Sequence, residues 1–246
     1  MDRSGKIKAG AVSYLNTKPL IYGFEEGMMN DRIDLVKEYP SRIAAMLLDD
    51  EIDIGLVPVA IIPALNEAHI ITRTCIGCDG PVASVCLFSE VPIHHVEKVL
   101  LDYQSRTSAR LIKILIEKYW KINPELVDTE EDFREQIKGS TAGLVIGDRA
   151  FTQRTISPYI YDLGEAWKEF TGLPFVFATW VANKALPADF IHDFNNATAY
   201  GLQHLDQVIA NNPFDKYSLH TYYKQNISFE LTNEKRKGME LFLQML

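Results

Sequence analysis

The sequence predicts an α/β protein of two lobes, the second inserted into the first. Three observations predict it. Up to Val57 the strand and helix signals run β-α-β-α-β, the order of a parallel sheet with helical crossovers. A second β-α-β series begins at Val96. After it comes a strongly β-forming run, Phe175 to Ala182, placed to cross back toward the first lobe. On this reading residues 1–92 and 179–246 form the first lobe and residues 93–178 the second. The hinges fall near residues 89–96 and 173–182, and a ligand sits in the cleft between the lobes.

In chain order, Lys6-Ile7-Lys8 alternates charge and apolar character and suits a first strand. Thr17, two residues before Pro19 and an apolar run from Leu20, signals a helix start with Thr17 as its cap. Ser13, Tyr14 and Asn16 therefore stand where a strand gives way to a helix. Arg32 to Tyr39 alternates as a second strand. Pro40-Ser41 opens a helix capped by Ser41, and Ile52 to Val57 is a buried third strand. Two β-rich runs, Ile70 to Thr72 and Val82 to Phe88, flank Gly77-Cys78-Asp79-Gly80-Pro81 and read as a hairpin or a pair of extended segments.

In the second series, Lys98 to Asp102 is a strand. Ser105-Arg106-Thr107-Ser108 starts an amphipathic helix that turns Leu111, Ile112, Ile114, Leu115 and Ile116 inward. Phe133 to Lys138 is a short helix and Ala142 to Ile146 a buried strand ending at Gly147-Asp148. Beyond the returning strand, residues 188–212, 217–226 and 234–246 carry helical patterns.

Bulk properties narrow the function. The chain has 246 residues, is 47% hydrophobic and has a formal net charge of −8. That balance suits an ordinary globular protein and argues against general nucleic-acid binding, though an acidic protein can hold a locally positive pocket. The N-terminus lacks the apolar core of a secretion signal, and no apolar run approaches bilayer-spanning length, so a cytoplasmic protein without a membrane partner is expected. Three cysteines fit reduced thiols. Cys75 and Cys78 have CxxC spacing without a second pair, and read as strand or turn cysteines. No phosphate loop, HExxH or GxSxG occurs, and the six histidines show no metal-ligand spacing.

What remains is four junctions where polar side chains follow a strand: Ser13-Tyr14-Leu15-Asn16-Thr17, Ser41-Arg42, Ser105-Arg106-Thr107-Ser108 and Gly147-Asp148. Helix N-termini offer free N–H groups and partial positive charge, so a carboxylate is a natural guest. Ser105 to Ser108 is the best anion site on these grounds. Asp148 would repel a carboxylate, and suits a hydroxyl, a cation or its own turn.

A set of short motifs runs in order along the chain: Ser13-Tyr14-Leu15-Asn16-Thr17-Lys18-Pro19-Leu20, Tyr39-Pro40-Ser41-Arg42, Asp53 to Pro58, Ser105-Arg106-Thr107-Ser108, Ile146-Gly147-Asp148, Asp162 to Trp167, Thr171 to Ala178 and Asn226 to Leu231. Their order resembles the chorismate dehydratase family of the futalosine route to menaquinone. Each is weak; their ordered set spans nearly the whole chain. The resemblance implies the two-lobed fold of type II periplasmic binding proteins in a cytoplasmic enzyme. It also implies loss of water from chorismate without a cofactor. Asn16 is then expected to orient the ring, with Asp148 as reserve acid or base. Ser13, Tyr14, Ser41, Arg42, Ser84, Arg106, Thr107, Ser108 and Gly147 are the expected substrate contacts. No protein base stands out, so a substrate carboxylate held by Ser84, Thr107 and Ser108 is the candidate proton acceptor. The alternatives are a non-catalytic organic-anion binder and the related 1,4-dihydroxy-6-naphthoate synthase, which opens on a different motif and uses a histidine.

Overall fold

In the computed structural model, which describes residues 5–246, the strands form two sheets, one per lobe. The first sheet has the order β11-β4-β10-β3-β1-β2, from β1 (Ile7–Val12), β2 (Ile33–Glu38), β3 (Ile54–Pro58), β4 (His69–Cys78), β10 (Phe175–Ala182) and β11 (Ser228–Glu230). The second has the order β7-β6-β8-β5-β9, from β5 (Val85–Ser89), β6 (Lys98–Leu101), β7 (Glu125–Asp128), β8 (Thr141–Ile146) and β9 (Tyr159–Asp162). The opening strands pair parallel, Gly10 opposite both Val36 and Gly55, as βαβ crossovers require. The helices are α1 (Lys18–Glu25), α2 (Pro40–Leu48), α3 (Arg106–Ile114), α4 (Asp148–Arg154), α5 (Leu163–Thr171), α6 (Ala188–Gln203), α7 (Leu205–Asn211), α8 (Leu219–Thr221) and α9 (Asn233–Gln244).

The returning strand β10 is central to the first sheet, antiparallel to β3 and β4, and buried at every position. A strand covered on both faces has no polar side to show, so Phe175 to Ala182 is continuously hydrophobic apart from Thr179, whose hydroxyl donates to the Thr74 carbonyl. Trp180 packs edge-on against Phe194 of α6 at 5.0 Å between ring centroids. Phe175 meets Phe242 of α9 at 5.1 Å.

Strand pairing revises the expected hairpin. β4 and β5 flank the turn at Gly77–Pro81 but join different sheets, so the first passage between lobes lies at residues 79–84 rather than near 89–96. Val85–Ser89 pairs with β8 and β9 in the second sheet, outside the lobe first expected for it. The return passage lies just before Phe175, where Gly172 takes a φ of +74° to end α5.

Thr17 takes the cap position of α1 as expected, at the end of a 3₁₀ turn, Leu15–Thr17, though its side chain makes no capping hydrogen bond. A second cap expectation changes. Ser41 lies inside α2, whose cap position is Tyr39, because Pro40 already supplies the helical φ of the first turn. Cys75 and Cys78 are buried in β4, and burial pushes the Cys75 thiol up to about 11. No described helix is long and apolar enough to cross a membrane.

Candidate active site between the lobes

The strand-to-helix junctions of the two lobes meet at a small cavity of about 50 Å³. Its polar lining is Tyr14, Asn16, Ser84, Ser105, Thr107 and Ser108. Its apolar wall includes Val12, Pro58, Ile76, Val82, Ile146 and Phe177. Among the described residues no Asp, Glu, His, Lys or Arg lines it.

Each polar group is there for a local reason. The 3₁₀ turn after β1 brings Asn16 inward, buried, where its Oδ1 accepts from the Thr17 hydroxyl at 3.3 Å. Ser105, extended in backbone, caps α3 by accepting from the Ser108 N–H at 3.0 Å. That cap seats Thr107 and Ser108 in the first turn, both buried. Ser84 is fully buried, accepts from the Tyr222 hydroxyl at 2.7 Å, and lends its carbonyl to the Gly147 N–H at 2.9 Å. Burial pushes the Tyr222 phenol well above its ordinary range, so it acts as a neutral donor.

Bonds across the cleft hold the lobes together. Tyr14 lies over Gly147, where an added Cβ would meet the tyrosine ring at 2.7 Å, and its hydroxyl donates to Gln104 Oε1. Both Asp148 oxygens accept from the Leu15 N–H, at 3.1 and 3.3 Å. The Ser41 hydroxyl donates to the Tyr103 carbonyl at 3.3 Å, and the Ala60 N–H to Thr107 Oγ1 at 3.2 Å. Behind Gln104, Arg149 pairs with buried Asp102 at 2.7 Å and donates to Gln104 Oε1 at 3.0 Å. Burial pushes the Asp102 carboxyl up, and the guanidinium offsets part of that.

Of the expected site residues, Tyr14, Asn16, Ser84, Thr107, Ser108 and Gly147 line this cavity. The others do not. Ser13 is exposed, with its N–H donating to the Glu38 carbonyl. Ser41 serves the bond to Tyr103, and the neighbouring Pro40 takes the place in the wall. Arg42 pairs with Glu51 at 3.0 Å on the surface. Arg106 points outward from α3, because the cap puts Thr107 and Ser108, not their neighbour, on the inner side. Asp148 is turned to the Leu15 N–H, and burial pushes its carboxyl up to about 6.

Sequence reasoning missed Tyr222, Tyr223 and Gln104. Tyr223 donates to the Leu15 carbonyl at 2.9 Å and so buttresses the Asn16 turn from the far end of the chain. The aromatic density of residues 217–226 was the available signal.

Comparison with known proteins bears on the fold and the family. A chorismate dehydratase of Thermus thermophilus is 25% identical over 262 aligned positions, covering 96% of this chain and 94% of that one. A solved Archaeoglobus fulgidus protein superposes with a TM-score of 0.76 at 16% identity, covering 99% of this chain and 97% of that one. A Candida albicans protein described as having the generic periplasmic binding protein fold superposes with a TM-score of 0.62 at 13% identity, covering 96% and 90%. The fold is therefore periplasmic-binding-protein-like. The family described as menaquinone biosynthesis matches residues 7–246, and the chain belongs to that family.

Proposed function

We propose that the protein is a chorismate dehydratase, converting chorismate to 3-[(1-carboxyvinyl)oxy]benzoate and water. The observation that carries this reading is a cleft of hydroxyls, one amide and a helix N-terminus, whose lining among the described residues has no Asp, Glu, His, Lys or Arg. Such a site binds carboxylates by backbone N–H groups and hydroxyls while leaving the proton transfer to the substrate. The ring proton leaves the ether-bearing carbon for the substrate's own carboxylate, held by Ser84, Thr107 and Ser108. The electron pair forms the last ring double bond, and hydroxide departs from the neighbouring carbon, taking up that proton as water. Aromatisation drives the step and needs no electron acceptor. Asn16 orients the ring hydroxyl, and the apolar wall excludes solvent. The 1,4-dihydroxy-6-naphthoate synthase reading asks for a histidine, and among the described residues none lines the cleft.

The test is incubation of the protein with chorismate, followed by mass and ultraviolet absorbance. Loss of one water with growth of a benzenoid band is expected. Asn16→Ala is expected to lower kcat by about 10²-fold with a smaller change in affinity. Chorismate recovered unchanged after binding would make the protein a passive binder, and near-normal turnover by Asn16→Ala would take that residue out of the reaction.

A further inference from the structure

A second, wider cavity of about 500 Å³ opens beside the first, between α3 and the turn that follows β3. Arg106, Arg110 and Lys113 line it from α3. Their spacing of four and three residues puts them on one helix face. Among the described residues none of the three enters an ion pair. Asp128 is the one acidic side chain in the lining. Three uncompensated cations on one face stand out in a chain of net charge −8. The cavity adjoins the inner site: Ser105 lines both, and the Ala60 N–H on the outer side bonds to Thr107 Oγ1 on the inner side at 3.2 Å.

We infer that this groove is the electrostatic entry port of the site, in which Arg106, Arg110 and Lys113 gather a small dianion and hand it to the N-terminus of α3. This rests on the reading of the inner cleft as a dicarboxylate site. A recess lined by one sign of charge concentrates the field and raises the local concentration and arrival rate of the opposite ion. The apolar side chains of the facing turn, Ile61 among them, keep that field from being fully screened. Separation of the lobes breaks the Ala60–Thr107 bond, and the wall between port and site opens with it. The port selects for charge and size; the inner hydroxyls select for shape.

The experiment is the association rate of chorismate by stopped-flow tryptophan fluorescence, at low salt and at about 0.5 M salt. It compares the wild type with Arg110→Glu/Lys113→Glu and with the milder Arg110→Gln/Lys113→Gln, both checked for folding by circular dichroism. The charge-reversed variant is expected to associate about tenfold more slowly at low salt, the neutral variant to fall between, and all three to converge at high salt. The effect should appear in kcat/KM and not in kcat. Equal rates at low salt, or a deficit that high salt leaves in place, overturn the port. Salt-dependent association without water loss would sink the dehydratase reading and leave the port standing. Turnover with salt-independent association would do the reverse, and absence of chorismate binding would sink both.

Discussion

Asp148 reaches across the cleft to a single backbone N–H, that of Leu15, and its carboxyl is pushed up to about 6 chiefly by burial. The Leu15 bond and the charge of Lys18 pull the other way and lose. The sign follows from linkage. A carboxyl with a raised native pKa contributes most when protonated, and that contribution is lost as pH rises from its ordinary value through about 6. At neutral pH the fold therefore carries a desolvated charge here. Asp148→Asn keeps an acceptor for the Leu15 N–H without that charge. It is expected to raise stability by about 1–2 kcal/mol at pH 8, discounting the raised pKa for partial exposure, and to have little effect at pH 4. Urea unfolding of both proteins at the two pH values is the measurement. A stability gain equal at both would mean that ionisation of Asp148 is not what the substitution removes. Through its bond to the Leu15 N–H, Asp148 supports the turn that carries Asn16.

The junction between β8 and α4 is held open by one glycine. Gly147 takes φ +65° and ψ −152°, a region side chains rarely enter, and the space its Cβ would need is filled by the Tyr14 ring of the other lobe. Gly147→Ala is expected to cost about 1–3 kcal/mol of stability and to displace Tyr14 from its seat. Thermal unfolding and chorismate affinity should both fall; a variant as stable as the wild type with unchanged affinity would mean that the contact is dispensable. The junction itself was legible in the sequence, because a polar Gly-Asp pair after a buried strand is a local signal. So were β1, β3, β10 and the amphipathic helix α3, whose patterns are local too. β7 and β9 were not: each has four residues at a sheet edge, and Glu125 to Asp128 has only two apolar positions. The β4–β5 turn looked like a hairpin because its residues are those of a hairpin. Which sheet each strand joins depends on partners that lie 55 to 156 positions away, such as Ile146 for Val85 and Ser228 for Gly77. Half of the site was readable for the same reason. Asn16 and Thr107-Ser108 carry their own junction signals, while Tyr222, Tyr223 and Gln104 enter only through tertiary contact.

At the scale of the whole molecule the lobes are closed on a cavity of about 50 Å³, room for several waters. A ten-carbon dicarboxylate enters only if the lobes part, and the passages at residues 79–84 and just before Phe175 are where the chain can flex. Closure is held by a few polar bonds between lobes, so its equilibrium is open to single substitutions. Gln104 is the most informative of these. Its Oε1 receives both the Tyr14 hydroxyl from the first lobe and Arg149 from its own, while its Nε2 donates to the Tyr103 hydroxyl. Gln104→Ala removes the anchor of Tyr14 without touching the cavity lining. The loss of one such net bond, about 1 kcal/mol, shifts the open and closed populations about fivefold toward open. Chorismate affinity should fall by at most that factor, because only the molecules shifted to the open state must be closed again by binding. Small-angle X-ray scattering should show the ligand-free variant more expanded than the wild type, and the two equally compact at saturating chorismate. If the variant and the wild type scatter alike without ligand while affinity still falls, Gln104 acts on the ligand and not on closure. The latch between Tyr14 and the second lobe would then carry no part of the opening equilibrium.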